Sequence, residues 1–373
     1  MRIGLDVTPL SLPLTGIGVF VNQLAAAIAE DSEADLVPIA LTGRSRREIE
    51  QHLPETVSLG RSYPARVLHT IWKHANVPTA SHLVGPVDVV HGTNFYGIPT
   101  TSSTAELITI HDTGPWLRPH DVSPTVRTFP RLAERAVRRG AHVHTLTFAV
   151  GEEVRSLLDL PPNQVHPIQI GYDEPDPRPV IPRGLESLES QRFLLAVGTI
   201  EPRKRFGELV ASIAPLLKSD DGLQLVIAGD GPGAADLRRT VSTLGPTAQQ
   251  IHMPGWVSAR EKSWLLRNAT IVVSNAKSEG FGMVPLEAMA VATPVISTDG
   301  AVQREVCGDG AVYVAVDDPS ALARETDALL GDTARAALMA TNGRAQAARF
   351  TWSRCTHDMI ELYRTLASSS SPS

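Results

Sequence analysis

The stretch "RFLLAVGTIEPRKRFGELVASIAPLLK", residues 192–218, begins a fold pattern that the preceding residues have already run through once. Within its first nine residues, Phe193–Val197 form a continuous apolar run, the mark of a strand buried on both faces. A proline-containing loop follows, then "FGELVASIAPLLK" with apolar residues at helical spacing. Outward toward the C-terminus, "LQLVIAG", "IHMPG", "TIVVSN" and "TPVIST" read as further strands separated by helical segments. Outward toward the N-terminus the same alternation fills residues 2–170. There "RIGLDV", "LVPIAL", "VDVVHG", "ELITIHD", "AHVHTLTFA" and "VHPIQI" are strands, with a helix at "VFVNQLAAAIAE" and others around 45–53, 122–140 and 151–159. Strands alternating with helices make parallel-sheet βαβ units, so the chain reads as two Rossmann-like domains meeting near residue 180. The proline-rich "DEPDPRPVIPRG" suits an extended linker. The expected boundaries are an N-terminal domain over 1–175, a linker over 176–190 and a C-terminal domain over 191–350. A C-terminal helix over 351–367 and a disordered tail over 368–373, "SSSSPS", complete the division.

Length and composition agree with this reading. A chain of 373 residues with 42% hydrophobic and 20% charged content fits two ordinary globular domains. A formal charge of −6 argues against nucleic acid as a partner, because phosphate binding needs a basic excess. The two cysteines, Cys307 and Cys355, have no metal-ligand spacing and point to a reducing compartment. No apolar run approaches the ~18 residues of a membrane span, and "MRIGLDVTPL" reads as a first strand rather than a leader. The expected location is the cytoplasm.

Ligands of open parallel sheets bind beyond the carboxyl ends of the strands, which directs attention to four loops. "PLTGIGVF" offers Gly16 and Gly18 ahead of a helix, where backbone N–H groups can hold an anion; a plain loop turn is the alternative. "GTIEPRKRFGE" places Arg203 and Lys204 just past a strand, a pair able to hold a diphosphate, though basic turns are commonly just solvated. "VIAGDGPG" carries Gly229 in a tight turn, and Pro232 and a missing acidic partner weaken any dinucleotide reading. "SEGFGMVPLE", residues 278–287, sets Glu279 and Glu287 eight positions apart around Gly280, Phe281 and Gly282. Pro285 is expected at the first helical position and Val284 at the N-cap. That would put Glu287 at the third position, where the helix dipole alone could account for it. Glu279 has no such structural reason. Two acceptor-only carboxylates beside backbone N–H groups suit a ligand rich in hydroxyls and phosphate, such as a sugar nucleotide.

Taken together these motifs resemble the retaining glycosyltransferases of family 4, which have the GT-B fold: two facing Rossmann-like α/β domains with a deep interdomain cleft. The resemblance rests on Glu279 and Glu287 within "EGFGMVPLEAMAVATPVIST", on "GTIEPRKR", on "VIAGDGPG" and on "TGIG", and spans nearly the whole chain. It implies that Glu287 accepts from the ribose hydroxyls, that Glu279 contacts the donor sugar and that Arg203 and Lys204 clamp the diphosphate, with Gly16 approaching from the other domain. His111, in "ITIHDTGPW", would lie at the reaction centre; His91 and Asn94, in "VVHGTNFYGIP", are weaker counterparts, similar to bacterial cell-surface polysaccharide mannosyltransferases. Two departures stand out. "AVATP" replaces the frequent "ACGTP", expected to be a packing change, and Arg205 replaces a usual asparagine, which puts helix capping in question.

The implied reaction moves a hexosyl unit, with mannose from GDP-mannose as the specific expectation, from a nucleoside diphosphate to a hydroxyl of a glycan or lipid-linked acceptor. The anomeric configuration is kept by front-face attack. Neither a cofactor nor a metal is expected, since no Asp-x-Asp motif or His/Cys cluster is visible. Competing readings are a sugar-nucleotide 2-epimerase, a non-catalytic sugar-nucleotide-binding subunit and, least, a nicotinamide dehydrogenase. Arg127, Arg131 and Arg135, with Arg138 and Arg139 behind them, would line one helix face; Arg44, Arg46 and Arg47 form a second cluster. Such a stripe is either solvated or rests on an anionic membrane surface.

Overall fold

The computed structural model describes residues 1–370 except 12, 13, 15, 43 and 44. The chain forms two compact units, Met1–Gly171 with Thr351–Ser373 (unit 1) and Tyr172–Phe350 (unit 2). The C-terminal helix, Trp352–Ser370, therefore belongs to unit 1. It also runs through Ser368–Ser370, three residues expected to be a disordered tail. The proline-rich segment, expected as an extended linker over 176–190, falls within unit 2. Its backbone is pinned to the helix Ala259–Asn268, where Arg260 bonds the Arg178 carbonyl at 2.8 Å and Ser263 the Asp176 carbonyl at 2.7 Å.

Unit 1 contains β1 (Arg2–Asp6), β2 (Asp35–Ile39), β3 (Val89–Gly92), β4 (Ala105–Ile110), β5 (His142–Thr145) and β6 (Val165–Pro167), in the order β2-β1-β3-β4-β5-β6. All the pairs are parallel. The chain leaves β1 in one direction and continues from β3 in the other, so the sheet's switch point lies between β1 and β3.

Unit 2 contains β7 (Arg192–Val197), β8 (Leu223–Ala228), β9 (Ile251–Gly255), β10 (Ile271–Ser274), β11 (Val295–Thr298) and β12 (Ala311–Val314), in the order β12-β11-β10-β7-β8-β9. These too are all parallel. β12, "AVYV", was not expected; it is a short, half-buried edge strand with only one fully covered residue. The central strands are buried on both faces, as a parallel sheet under helices requires. Leu194, Leu225 and Ile227 pack with Leu209 and Ile213 of the helix Phe206–Ser219. Here the switch point lies between β7 and β10. The loops leaving these two neighbouring strands are those holding Arg203, Lys204 and Glu279.

Candidate active site

The two switch-point loops of unit 2 are stitched together by their backbones. After β7, Pro202–Lys204 forms a single 3-10 turn, ended by Arg205 in a left-handed conformation with φ 53°. The Lys277 amide donates to the Arg203 carbonyl at 2.8 Å, and the Arg203 guanidinium reaches the Ser278 carbonyl at 3.2 Å. This brings Glu279 onto both cations. Arg203 Nη1 is 3.0 Å from Oε2, and Lys204 Nζ donates to Oε1. Arg203 Nε also pairs with Glu201 Oε1 at 2.6 Å. Burial pushes the Glu279 carboxyl up, but Lys204 and Arg203 outweigh it and hold the group below the ordinary carboxylate range.

Arg205 has no side-chain capping bond, as its replacement of asparagine led one to expect. It is held instead by Val316, whose carbonyl accepts from its guanidinium, and by Asn275, which donates to the Arg205 carbonyl at 3.2 Å.

The helix beyond Glu279 starts earlier than its proline indicates. Gly282 is the N-cap, with φ 98° and ψ 57°, and the helix is Met283–Ala290. Glycine adopts this left-handed entry without a Cβ penalty, so the first turn forms before Pro285. Glu287 thus sits at the fifth helical position, beyond the first turn where the dipole acts. It is 4% exposed; Oε1 takes a 2.7 Å bond from Lys262, and Oε2 is buried without a partner. Burial raises its pKa, with Lys262 opposing and Asp173 assisting. Phe281 was expected at the ligand, but its side chain is buried against Phe350, with centroids 5.6 Å apart. Its ring is core. Gly280 and Gly282 remain half-buried in the loop.

Gly229 answers to the protein before any ligand. A β-carbon there would lie 2.0 Å from the Gly198 carbonyl oxygen, because the β7 and β8 exit loops cross in contact. Bonds from the Ile200 amide to the Asp230 carbonyl and from the Gly233 amide to the Ile200 carbonyl, both 2.9 Å, seal that crossing, and the Gly229 amide ties the β8 exit to the end of β9 at the Gly255 carbonyl (2.8 Å).

In unit 1, His111 follows β4 and is 5% exposed. Its Nε2 is 2.8 Å from the Thr93 carbonyl, which can only accept, so Nε2 carries the proton and Nδ1 is a bare acceptor. Nδ1 is buried with no partner. Burial lowers the ring's pKa to about 4, keeping it neutral near pH 7. Thr93 is fixed in turn by its hydroxyl, which donates to the Asp6 carbonyl at 2.7 Å, and Phe95, at φ 63°, lays its ring against His111 with centroids 5.3 Å apart. Gly16 and Gly18 lie in the helix Gly16–Glu30 rather than in a turn before it; Gly18 is buried against Leu14 and Pro9. Phe20 of that helix contacts the His111 ring edge-on at 6.4 Å. His91 is structural. Both its ring nitrogens are engaged, by Tyr363 and Thr109, each at 2.7 Å. Asn94 is half-buried in the loop after β3, between Thr93 and Phe95.

The basic stripe breaks up. Arg127 lies in the 3-10 turn Val126–Thr128, ahead of the helix Phe129–Arg138. Arg135 bonds the Trp72 carbonyl and Asn76, both at 2.9 Å, and Arg139 forms a fork on buried Glu106. Only Arg131 and Arg138 of the helix stay exposed. Arg46 is bound to Leu59, Gly60 and Glu50, and Arg44 lies outside the described residues.

Lys262, Glu201 and Thr93 were not anticipated. Nothing in the spacing of Lys262 and Glu287, 25 residues apart, links them before the sheet brings their helices together. Among the described residues, no group of three or more His, Cys, Asp or Glu could hold a metal ion, and no helix is long and apolar enough to cross a membrane.

With this geometry in place, residues 178–346 match the family model for glycosyl transferases group 1. The segment belongs to that family. The glycosyltransferase segment covers the whole switch-point site of unit 2. Over 98% of the chain, and 100% of the relative, the sequence is 24% identical to the O-antigen chain mannosyltransferase B of Escherichia coli. The sucrose-phosphate synthase of Thermosynechococcus elongatus superposes with a TM-score of 0.73 at 20% identity, over 99% of this chain and 100% of that one. The Anabaena protein HepE, solved with UDP-glucose, gives 0.72 at 17% identity over 98% and 100%. These likenesses establish the GT-B class of two-domain α/β fold. Glycosyl transfer is the chemistry to which family and relatives point.

Proposed function

We propose that this glycosyltransferase is a retaining, metal-independent hexosyltransferase using a nucleoside-diphosphate sugar, with mannose the favoured sugar. The observation that carries the reading is the joining of Arg203, Lys204 and Glu279 across the switch point of unit 2. A diphosphate leaving group develops charge as the glycosidic bond breaks. Two fixed cations and backbone N–H groups at a switch point supply the compensation that a metal would otherwise provide. Glu287, whose Oε2 has no protein partner, would accept from the ribose diol, and Glu279 from the donor sugar. His111 would offer Nδ1 to a sugar hydroxyl. The resemblance favours attack on the donor's front face without a carboxylate nucleophile, the departing phosphate taking the acceptor's proton.

An O-antigen chain mannosyltransferase relative supports mannose and a glycan acceptor; a lipid-linked acceptor is part of the same proposal. An anionic membrane surface remains a secondary proposal, now resting on the exposed Arg131 and Arg138 of the helix with Arg127 and Arg47; vesicle binding that survives high salt or Arg131→Glu would remove it.

The test is hydrolysis of a panel of sugar nucleotides without acceptor, with and without EDTA. Cleavage of at least one, undiminished by EDTA, is expected. Complete loss restored by magnesium would overturn metal independence, and cleavage of none would overturn the donor class.

A further inference from the structure

The diphosphate clamp is not vacant of negative charge. One carboxylate, Glu279, spans both cations, with Oε2 on Arg203 and Oε1 on Lys204, and Glu201 holds the other edge of Arg203. Two cations against two carboxylates leave these four side chains with no net charge. The Glu279 side chain is 10% exposed and Lys204 17%, so the contacts are little screened by solvent.

A carboxylate and a phosphate present the same kind of acceptor edge to arginine and lysine. A diphosphate binding at the same edges of Arg203 and Lys204 therefore competes for the N–H groups that Glu279 holds. We infer that Glu279 is a specificity-determining counter-anion, which a phosphate must displace and which thereby disfavours the bare nucleoside diphosphate relative to the sugar nucleotide. The inference rests on the donor reading above for its second half. A displaced carboxylate is an acceptor without donors and costs free energy unless new ones reach it. Hydroxyls of a donor sugar are such donors; a nucleoside diphosphate without its sugar brings only its ribose hydroxyls, which the donor reading assigns to Glu287. The same carboxylate thus weakens the hold on product once the sugar has left, and its return to Arg203 and Lys204 favours release.

This gives Glu279 a sign that a simple sugar contact lacks. If it only touched the sugar, removing it would leave the affinity for phosphate alone unchanged. As a counter-anion, its removal makes phosphate bind more tightly. Glu201 provides the internal comparison, since it pairs with Arg203 but not with Lys204.

The experiment is calorimetric titration of inorganic pyrophosphate into the full chain, as wild type, Glu279→Gln, Glu279→Ala and Glu201→Gln, with the melting temperature of each recorded. GDP, GDP-mannose, UDP and UDP-glucose are then titrated into the same proteins. Pyrophosphate is expected to bind Glu279→Gln and Glu279→Ala about tenfold more tightly than wild type, with a clearly smaller gain for Glu201→Gln. The preference for a sugar nucleotide over its own diphosphate should shrink in both Glu279 variants. Unchanged or weaker pyrophosphate binding in the Glu279 variants overturns the inference, as does an equal gain in Glu201→Gln. Tighter pyrophosphate binding in a protein that takes none of the four nucleotides would overturn the donor reading while leaving the counter-anion in place.

Discussion

Glu279 and Glu287 belong to one short motif, yet their surroundings drive them in opposite directions. Both are buried, which raises a carboxyl pKa. Glu279 has two cations in contact and ends below its ordinary value; Glu287 has one, with Asp173 working against it, and ends above. Their roles should separate accordingly. Glu287 Oε2, buried without a partner, is a ready acceptor for a diol. Glu287→Gln should weaken binding of a ribonucleoside diphosphate about tenfold, the scale of a hydrogen bond to a charged group. The 2′,3′-dideoxy counterpart, which lacks the hydroxyls, should lose far less. Equal losses for the two ligands, measured by titration, would dissociate Glu287 from the ribose.

At the scale of elements, Ala292 shows what a substitution in a familiar motif can conceal. It stands where related sequences frequently have glycine, and the change looked like packing. The structure gives it φ 60° just past the helix Met283–Ala290, with the Thr293 amide bonding back to the Ala288 carbonyl at 2.9 Å. This is a helix C-terminal turn in which glycine is the unstrained residue. The residue is exposed, so nothing is lost by removing its methyl group. Relief of left-handed strain should outweigh the added freedom of the unfolded chain, and Ala292→Gly should gain about 0.5–1 kcal/mol. A lower melting temperature for the variant would contradict this. Most strands and helices were legible because buried parallel strands are written as continuous apolar runs. β12 was not, being half-covered, and the helix after Glu279 was misplaced because Gly282, rather than Pro285, sets its start. The site was legible where consecutive residues carry it, as at Arg203 and Lys204. It was not legible where partners come from distant helices, as with Lys262, or where a backbone carbonyl does the work, as at Thr93. Arg135 and Arg139 showed the converse failure, since a basic stripe in sequence turned out to be two tethers for neighbouring elements.

Over the whole molecule, titration is unevenly distributed. Burial lowers the pKa values of His69, His91, His111, His142, His144 and His166, all in unit 1, whereas His252 is the only such histidine of unit 2. The unfolded chain binds protons near pH 6.5 that these folded rings accept only at lower pH. Their stabilising contribution is therefore complete above about pH 6.5 and falls as the pH drops toward the folded values, about 4 for His111 and about 3 for His144. By pH 5 the two together should cost roughly 4 kcal/mol. Asp6 and Glu106 in unit 1 and Glu287 in unit 2, raised by burial, act in the opposite sense but are fewer. Hydrogen exchange, corrected for intrinsic rates, should show β3, β4 and β5 losing protection between pH 7 and pH 5 before β7, β8 and β10. Simultaneous loss in both units, or earlier loss in unit 2, would contradict the assignment. The central claim is that the β7 exit loop holds the donor's diphosphate. Lys204→Ala tests it most directly, assayed with whichever sugar nucleotide the wild type cleaves, after circular dichroism has shown the variant to be folded. A fall in turnover of at least ~10²-fold is predicted. A folded variant with near-normal turnover would contradict the account.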